Sequence, residues 1–143
     1  MPIQAWERCL EYNDNRSLVT VEENGRGIKF INNKRKKVAL YRVDGCILTE
    51  GIKCDFLFLI NEDKRAFFIE LKGSDLEKAV QQISKTIEQL QPYLREYVLE
   101  GRIITTRVRT PALKSTYIIR LQKILRKTGG TLNIKAKSDE VTI

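Results

Sequence analysis

The chain has 143 residues, 42% hydrophobic and 31% charged, with a net charge of +8 from 26 basic and 18 acidic side chains. That length suits one domain, residues 1–143, with a sizeable core, and no apolar run approaches the roughly 18 residues of a membrane span. The chain has no histidine, which excludes Ser-His-Asp and Cys-His catalysis and histidine-liganded zinc enzymes and leaves carboxylates, lysine and a metal as the available chemistry.

A basic surplus of this size favours a polyanionic partner, nucleic acid first and an anionic membrane surface second. Cys9, Cys46 and Cys54 are odd in number and widely spaced, with no CxxC pair. They read as buried thiols of a reducing compartment rather than a disulfide framework or a zinc site. The amino terminus lacks the charged-then-apolar plan of a signal peptide, so the expected location is cytoplasmic.

In chain order, Pro2 to Tyr12 reads as a short helix with Ile3, Trp6 and Leu10 on one face. Leu18 to Val21 is a strand, and the Asn24-Gly25 pair marks a turn. Ile28–Ile31 and Val38–Val43 read as strands of a hairpin closed by Asn32-Asn33-Lys34-Arg35-Lys36-Lys37. Residues 55–60 and 66–72 follow as two continuous apolar strands covered on both faces, joined by Asn61 to Arg65. Gly73 breaks the second strand, and Ser74 with Glu77 forms a capping box. Leu76, Ala79, Val80, Ile83, Ile87 and Leu90 then make a helical stripe. Pro92 kinks or ends that helix, a second helical piece runs to about Leu99, and Gly101 stops it. Arg102 to Val108 is a further strand. After Pro111 comes a helix with Leu113, Tyr117, Leu121, Ile124 and Leu125 inward and Arg120, Lys123, Arg126 and Lys127 outward. Gly129-Gly130 ends it, and Leu132 to Ala136 is a last strand. The whole reads as a mixed α/β domain with one sheet.

The ionised residues inside the two apolar strands carry the chemistry. Phe68, Glu70 and Lys72 share one face of their strand, because side chains alternate. Asp55 joins that face only if paired residues have an odd index sum or a bulge lies near Asp55. A sum of 125 sets it opposite Glu70 and 127 opposite Lys72, whereas 126 turns it to the other side. In an odd register two carboxylates and an ammonium converge within about 5–8 Å, and a hard divalent cation such as Mg²⁺ relieves the repulsion of the carboxylates. Such a metal acidifies a bound water and offsets charge on a phosphorane, with Lys72 positioning the water or steadying that charge. Glu62-Asp63-Lys64 repeats the Glu-x-Lys pattern but lies in the polar turn, where solvated charge is the simpler reading.

Asp55, fourteen intervening residues, then Glu70-Leu71-Lys72, within a strand-turn-strand-helix order, resembles the PD-(D/E)xK nuclease superfamily from about Val38 to Val108. Cys54 stands where the family's nominal proline would be. The resemblance implies a restriction-endonuclease-like αβββαβ core, one mixed central sheet flanked by helices, and Mg²⁺-dependent phosphodiester hydrolysis, with Mn²⁺ substituting. It makes Asp55 and Glu70 metal ligands with the Leu71 carbonyl as a third, and Lys72 the catalytic lysine. Many such nucleases add a glutamine from the following helix. Gln82 borders the apolar stripe on one side and Gln81 the other, and Gln82 is the preferred choice, against the alternative of a polar residue on an exposed flank. Glu7, Glu11, Glu22 and Glu23 are alternatives for an additional acid.

Lys34, Arg35, Lys36 and Lys37 at a hairpin tip offer a phosphate-backbone contact, or else a solvated loop. The expected function is a metal-dependent endonuclease acting on DNA in preference to RNA, with a homodimer as the way to present two sites for duplex cleavage. The alternative is a catalytically silent nucleic-acid-binding or complex-assembling protein of the same fold.

Overall fold

The computed structural model describes residues 4–51, 53–71, 75–106 and 115–143. A 3₁₀ turn (Gln4–Cys9) leads into β1 (Leu10–Asp14), followed by β2 (Leu18–Glu23), β3 (Arg26–Ile31), β4 (Val38–Arg42), β5 (Phe56–Ile60) and β6 (Arg65–Leu71). Then come α1 (Leu76–Leu90), β7 (Val98–Thr105), α2 (Thr116–Arg126), β8 (Leu132–Ala136) and β9 (Ser138–Thr142). The molecule is mixed α and β, with a six-stranded sheet in the order β1-β4-β5-β6-β7-β8 and a three-stranded sheet β2-β3-β9. In the large sheet β1, β4, β5 and β6 pair antiparallel, and β6, β7 and β8 pair parallel.

The second sheet corrects the one-sheet expectation, and burial explains it. Along β2 and β3 the residues Val19, Val21, Ile28 and Phe30 are buried while Leu18, Thr20 and Lys29 are exposed. A ribbon apolar on one side must lie on another apolar surface. The surface that receives it is one face of the large sheet, through Val38, Leu40, Phe56, Phe58, Ile60 and Phe67. Phe30 seats between Phe58 and Phe67, with ring centroids 4.3 and 5.0 Å away. The opposite face, with Leu57, Leu59, Ala66 and Phe68, carries α1 and α2 through Val80, Ile83, Ile87, Leu121 and Leu125. Helices, large sheet and small sheet therefore stack as three layers, which is why β5 and β6 are apolar on both faces.

Several local expectations change for the same reason. β3 and β4 are not a hairpin, because they belong to different sheets. Asn32, fully buried, turns the corner between them, donating from Nδ2 to the Arg16 and Lys36 carbonyls while its Oδ1 accepts from the Lys36 N–H. The expected first helix is a 3₁₀ turn that buries Trp6 and Cys9, three residues apart, before the chain joins β4 as a strand. After Pro92 no helix runs to Leu99: the 3₁₀ turn Gln91–Tyr93 gives way to β7 at Val98. Gly101 lies inside β7 rather than ending a helix, where a Cβ would come within 2.9 Å of Leu132 Cδ1. Asp75 caps α1, its Oδ1 accepting from the Lys78 N–H at 3.0 Å, while the expected cap Ser74 lies outside the described residues. In α2 the buried residues are Ile118, Leu121 and Leu125; Tyr117 is 41% exposed, and Leu113 lies outside the described residues. β9 was not expected, since Ser138-Asp139-Glu140 shows no apolar alternation; it exists by pairing parallel to β3.

The cysteine reading is also corrected. Cys9 and Cys46 form a disulfide, and Cys54 is the free, buried thiol. An odd count of three leaves room for one bridge, and the fold brings Cys9 beside the β4–β5 connection. No described helix is long and apolar enough to cross a membrane.

Candidate active site

β5 and β6 pair Phe56 with Ile69, Leu57 with Phe68 and Ile60 with Arg65, an index sum of 125 throughout. Asp55, the residue before β5, therefore stands across from Glu70, and both carboxylates belong to the helix-facing side. Hydrogen bonds from both its main chain and its side chain hold Asp55. Its N–H donates to the Ile69 carbonyl at 3.1 Å, its carbonyl accepts from the Val43 N–H at 3.0 Å, and Oδ2 accepts from the Leu71 N–H at 2.9 Å. A carboxylate accepting a main-chain N–H is a strong, charge-assisted contact. It ties the side chain of one expected ligand to the backbone of another.

Glu70 has no solvent exposure and Asp55 only 6%. Glu70 is flanked by Ile103 of β7 in the parallel pairing, so its surroundings are apolar on that side. The Cys54 thiol lies in the same region. Burial pushes its pKa well above the ordinary thiol range, and the negative charges of Glu70 and Asp55 push the same way.

α1 closes this region from above. Gln82 is 6% exposed, and its Nε2 donates to the Lys53 carbonyl at 3.2 Å. Thr86, one turn on, accepts from the Cys54 N–H at 2.8 Å and donates to the Gln82 carbonyl at 2.7 Å. The helix thus grips Lys53 and Cys54, the two residues that lead into Asp55. Gln82 is buried against the entering strand, and the exposed-flank alternative does not hold. Thr86, one turn from Gln82 along the same side of α1, is a buried residue that the sequence analysis did not single out. Lys53 itself pairs with Asp44 at 3.5 Å.

Thr105 was missed altogether. It closes β7, is 1% exposed, and shares the parity of Ile103, the residue paired with Glu70. It therefore stands on the same face and at the same end of the sheet as the two carboxylates. Strand alternation through Gly101, Ile103 and Thr105 was the available signal.

Other expected residues fall elsewhere. Lys72 lies outside the described residues. Lys34, Arg35, Lys36 and Lys37 sit beside the β5–β6 turn, where Lys36 Nζ meets Asp63 Oδ2 at 2.6 Å and the Lys37 N–H reaches Glu62. That is the end of β4 and β5 away from Asp55, about 15 Å along a five-residue strand. Asp63 is therefore an ion-pair partner, not a wholly idle turn charge. Glu11 pairs with Arg42 at 3.1 Å, and the Arg42 guanidinium lies over Phe56 on the small-sheet side. Glu7 is exposed on the 3₁₀ turn, and Glu22 and Glu23 belong to the small sheet. None of these four is brought to the Asp55–Glu70 face.

Among the described residues no group of three or more His, Cys, Asp or Glu side chains gathers to hold a metal. The acid complement is a pair, and pairs of carboxylates with one main-chain carbonyl suit a hard cation that keeps waters and phosphate oxygens as its remaining ligands. The donor atoms of Asp55, Glu70 and the Leu71 carbonyl are all oxygen, which fits Mg²⁺ or Mn²⁺ and not a thiolate-seeking metal. Compared with known proteins, the chain matches no family model, no curated protein and no solved structure.

Proposed function

We propose that the protein is a divalent-metal-dependent nuclease that hydrolyses phosphodiester bonds, with DNA as the favoured substrate. The observation that carries this reading is the register sum of 125, which brings Asp55 opposite Glu70 on one face of the sheet. The strand order from β4 to β7, three antiparallel strands, a helix and a parallel strand, supports the restriction-endonuclease-like comparison made on sequence.

Asp55 and Glu70, with the Leu71 carbonyl, would hold the cation, which when bound lowers the pKa of a water and offsets phosphorane charge. The chain's own contribution is positional. The Leu71 N–H fixes the Asp55 carboxylate, Gln82 and Thr86 fix the backbone that delivers it, and the low-dielectric wall of Ile103 and Phe68 strengthens every charge interaction at that point. Lys72 supplies the cation that orients the attacking water or meets the developing charge. The net charge of +8 suits a polyanionic substrate. A homodimer would present two such sites to a duplex. The proposed place of work is the cytoplasm, where the Cys9–Cys46 bridge would have to form against a reducing poise.

The test is a cleavage panel of linear, circular, single-stranded and branched DNA and of RNA, with Mg²⁺ and Mn²⁺. Asp55→Asn and Glu70→Gln are each expected to lower cleavage by about 10²-fold or more. Calorimetric Mn²⁺ binding should disappear in Glu70→Gln. If no substrate is cut and Mn²⁺ does not bind the wild type, the nuclease reading is wrong, and salt-sensitive DNA binding without metal uptake would point to a binding protein instead.

A further inference from the structure

The positive surplus is not spread evenly along the chain. Residues 101–138 hold ten of the 26 basic side chains and none of the 18 acidic ones, so the remainder is slightly acidic. Within that segment Arg102 is buried beside Glu100, whereas α2 turns Arg120, Lys123, Arg126 and Lys127 to solvent. None of these four forms an ion pair among the described residues, although Lys36, Arg42, Lys53 and Lys85 elsewhere each meet a carboxylate. The neighbouring α1 is balanced along its own length, Glu77 and Glu88 against Lys78 and Lys85.

Such a face works against the helix that carries it. Like charges three and four residues apart repel, as Lys123 does with Arg120, Arg126 and Lys127, and α2 has no acid to offset them. The helix dipole compensates the cations of the last turn, Lys123 and Arg126, but not Arg120. The apolar side of α2, with Ile118, Leu121 and Leu125, is committed to the core. Outside it only Tyr117 and Ile119 are exposed apolar side chains, one on each flank of the basic stripe. A helix that lies in a membrane surface needs its apolar side free, which this one does not have. A row of cations without an apolar wedge suits a phosphate backbone.

α2 packs on α1, β7 and β8, on the same face of the large sheet as Asp55 and Glu70. It ends beside the start of β7, where Thr128 Oγ1 accepts from the Leu99 N–H at 2.9 Å and the Thr131 carbonyl accepts from the Gly101 N–H at 3.0 Å. Its first turn therefore points towards the other end of β7, that of Thr105 and the two carboxylates. We infer that the solvent side of α2 binds the sugar-phosphate backbone of a nucleic acid, with Arg120 nearest the carboxylate end and Lys127 farthest from it. That the bound strand leads to a scissile bond at Asp55 and Glu70 rests on the nuclease reading. At about 1.5 Å per residue, Arg120 to Lys127 covers about 10 Å of helix. That is the axial length of roughly three phosphates of a duplex strand. Backbone binding is thus assigned to α2 and not to the Lys34–Lys37 loop, where Lys36 is already held by Asp63.

The experiment is fluorescence anisotropy of labelled single-stranded and duplex DNA and RNA oligonucleotides in EDTA over a salt series. Lys123→Gln combined with Lys127→Gln relieves repulsion on an exposed surface, so this variant is expected to melt no lower than wild type. Its affinity should fall about tenfold or more at low salt, with the slope of log K against log salt shallower by about two. Lys34→Gln combined with Lys37→Gln removes the same charge from the far loop and should bind as wild type does. Unchanged affinity and slope in the α2 variant, or an equal loss in the loop variant, would overturn the inference. So would a wild type that binds phosphatidylserine vesicles and none of the oligonucleotides. Weakened binding by the α2 variant of a protein that cuts nothing with Mg²⁺ would keep α2 as a nucleic-acid surface and remove the nuclease reading. Undiminished binding by that variant in a protein that does cut would do the reverse.

Discussion

A charge inside an apolar strand demands an explanation, and at the residue scale this chain gives two kinds. Asp55 and Glu70 stood out in the sequence because neighbouring strands each carried an acid at the same end. Glu100 sits in a similarly apolar run, yet its reason was invisible, since its partners are Arg65 at 2.9 Å and Thr131 at 3.0 Å, far away in the chain. Arg102 also approaches it at 3.5 Å, and both guanidinium groups lie over Phe67. Burial alone would raise the Glu100 pKa, but the Arg65 hydrogen bonds and the two positive charges outweigh it and hold the carboxyl below its ordinary value of 4.5. A folded-state pKa below the unfolded one means that the stabilisation is complete above about 4.5 and is lost as pH falls through the lower folded value. Denaturation midpoints measured from pH 6 down to pH 3 should therefore fall more steeply in wild type than in Glu100→Gln, which cannot titrate there.

Elements were legible where periodicity was strong, as in α1, β5 and β6, and misread where tertiary contact set the boundary. Gly129-Gly130 illustrates both. The pair was readable as a helix end, and Gly129 takes the positive φ of 92° that such an end uses. Gly130 has a different task that only the packing reveals. A Cβ there would lie 1.8 Å from the Leu99 carbonyl oxygen, because the α2–β8 connection crosses β7 at backbone contact. Gly130→Ala should cost about 3 kcal/mol or more, measured by chemical denaturation, through a clash that the backbone cannot relieve without parting the two elements. Gly129→Ala is the milder change at the same turn, about 1 kcal/mol from its left-handed backbone.

At the scale of the whole molecule, the Cys9–Cys46 bridge adds a covalent tie within the large-sheet layer. It spans 37 residues and anchors the amino-terminal 3₁₀ turn to the connection that leads towards Asp55. A bridge closing a loop of this size is worth about 2–4 kcal/mol, mainly by restricting the unfolded chain. Reduction, or the pair Cys9→Ser with Cys46→Ser, should therefore lower the Tm by roughly 10 °C in calorimetry. No change in Tm on reduction would show that the bridge does not form in the protein as produced.

By itself the sequence determined the apolar central strands, the capped helix after them, and the identity of the acids that make the candidate site. Alternation and helical spacing are local properties, and they survive without knowledge of partners. What it could not determine was register, layer and distance. The same residues read equally well with a pairing sum of 125, 126 or 127, and only the turn geometry in the folded sheet selected 125. Whether β2 and β3 extended the large sheet or lay across it depended on an apolar surface assembled from residues 38 to 67, and so did the fate of the Lys34–Lys37 loop. The tertiary structure moved that loop away from Asp55 and laid the basic helix α2 on the face of the two carboxylates, because the sheet face that receives a helix's apolar stripe decides where its charged side points.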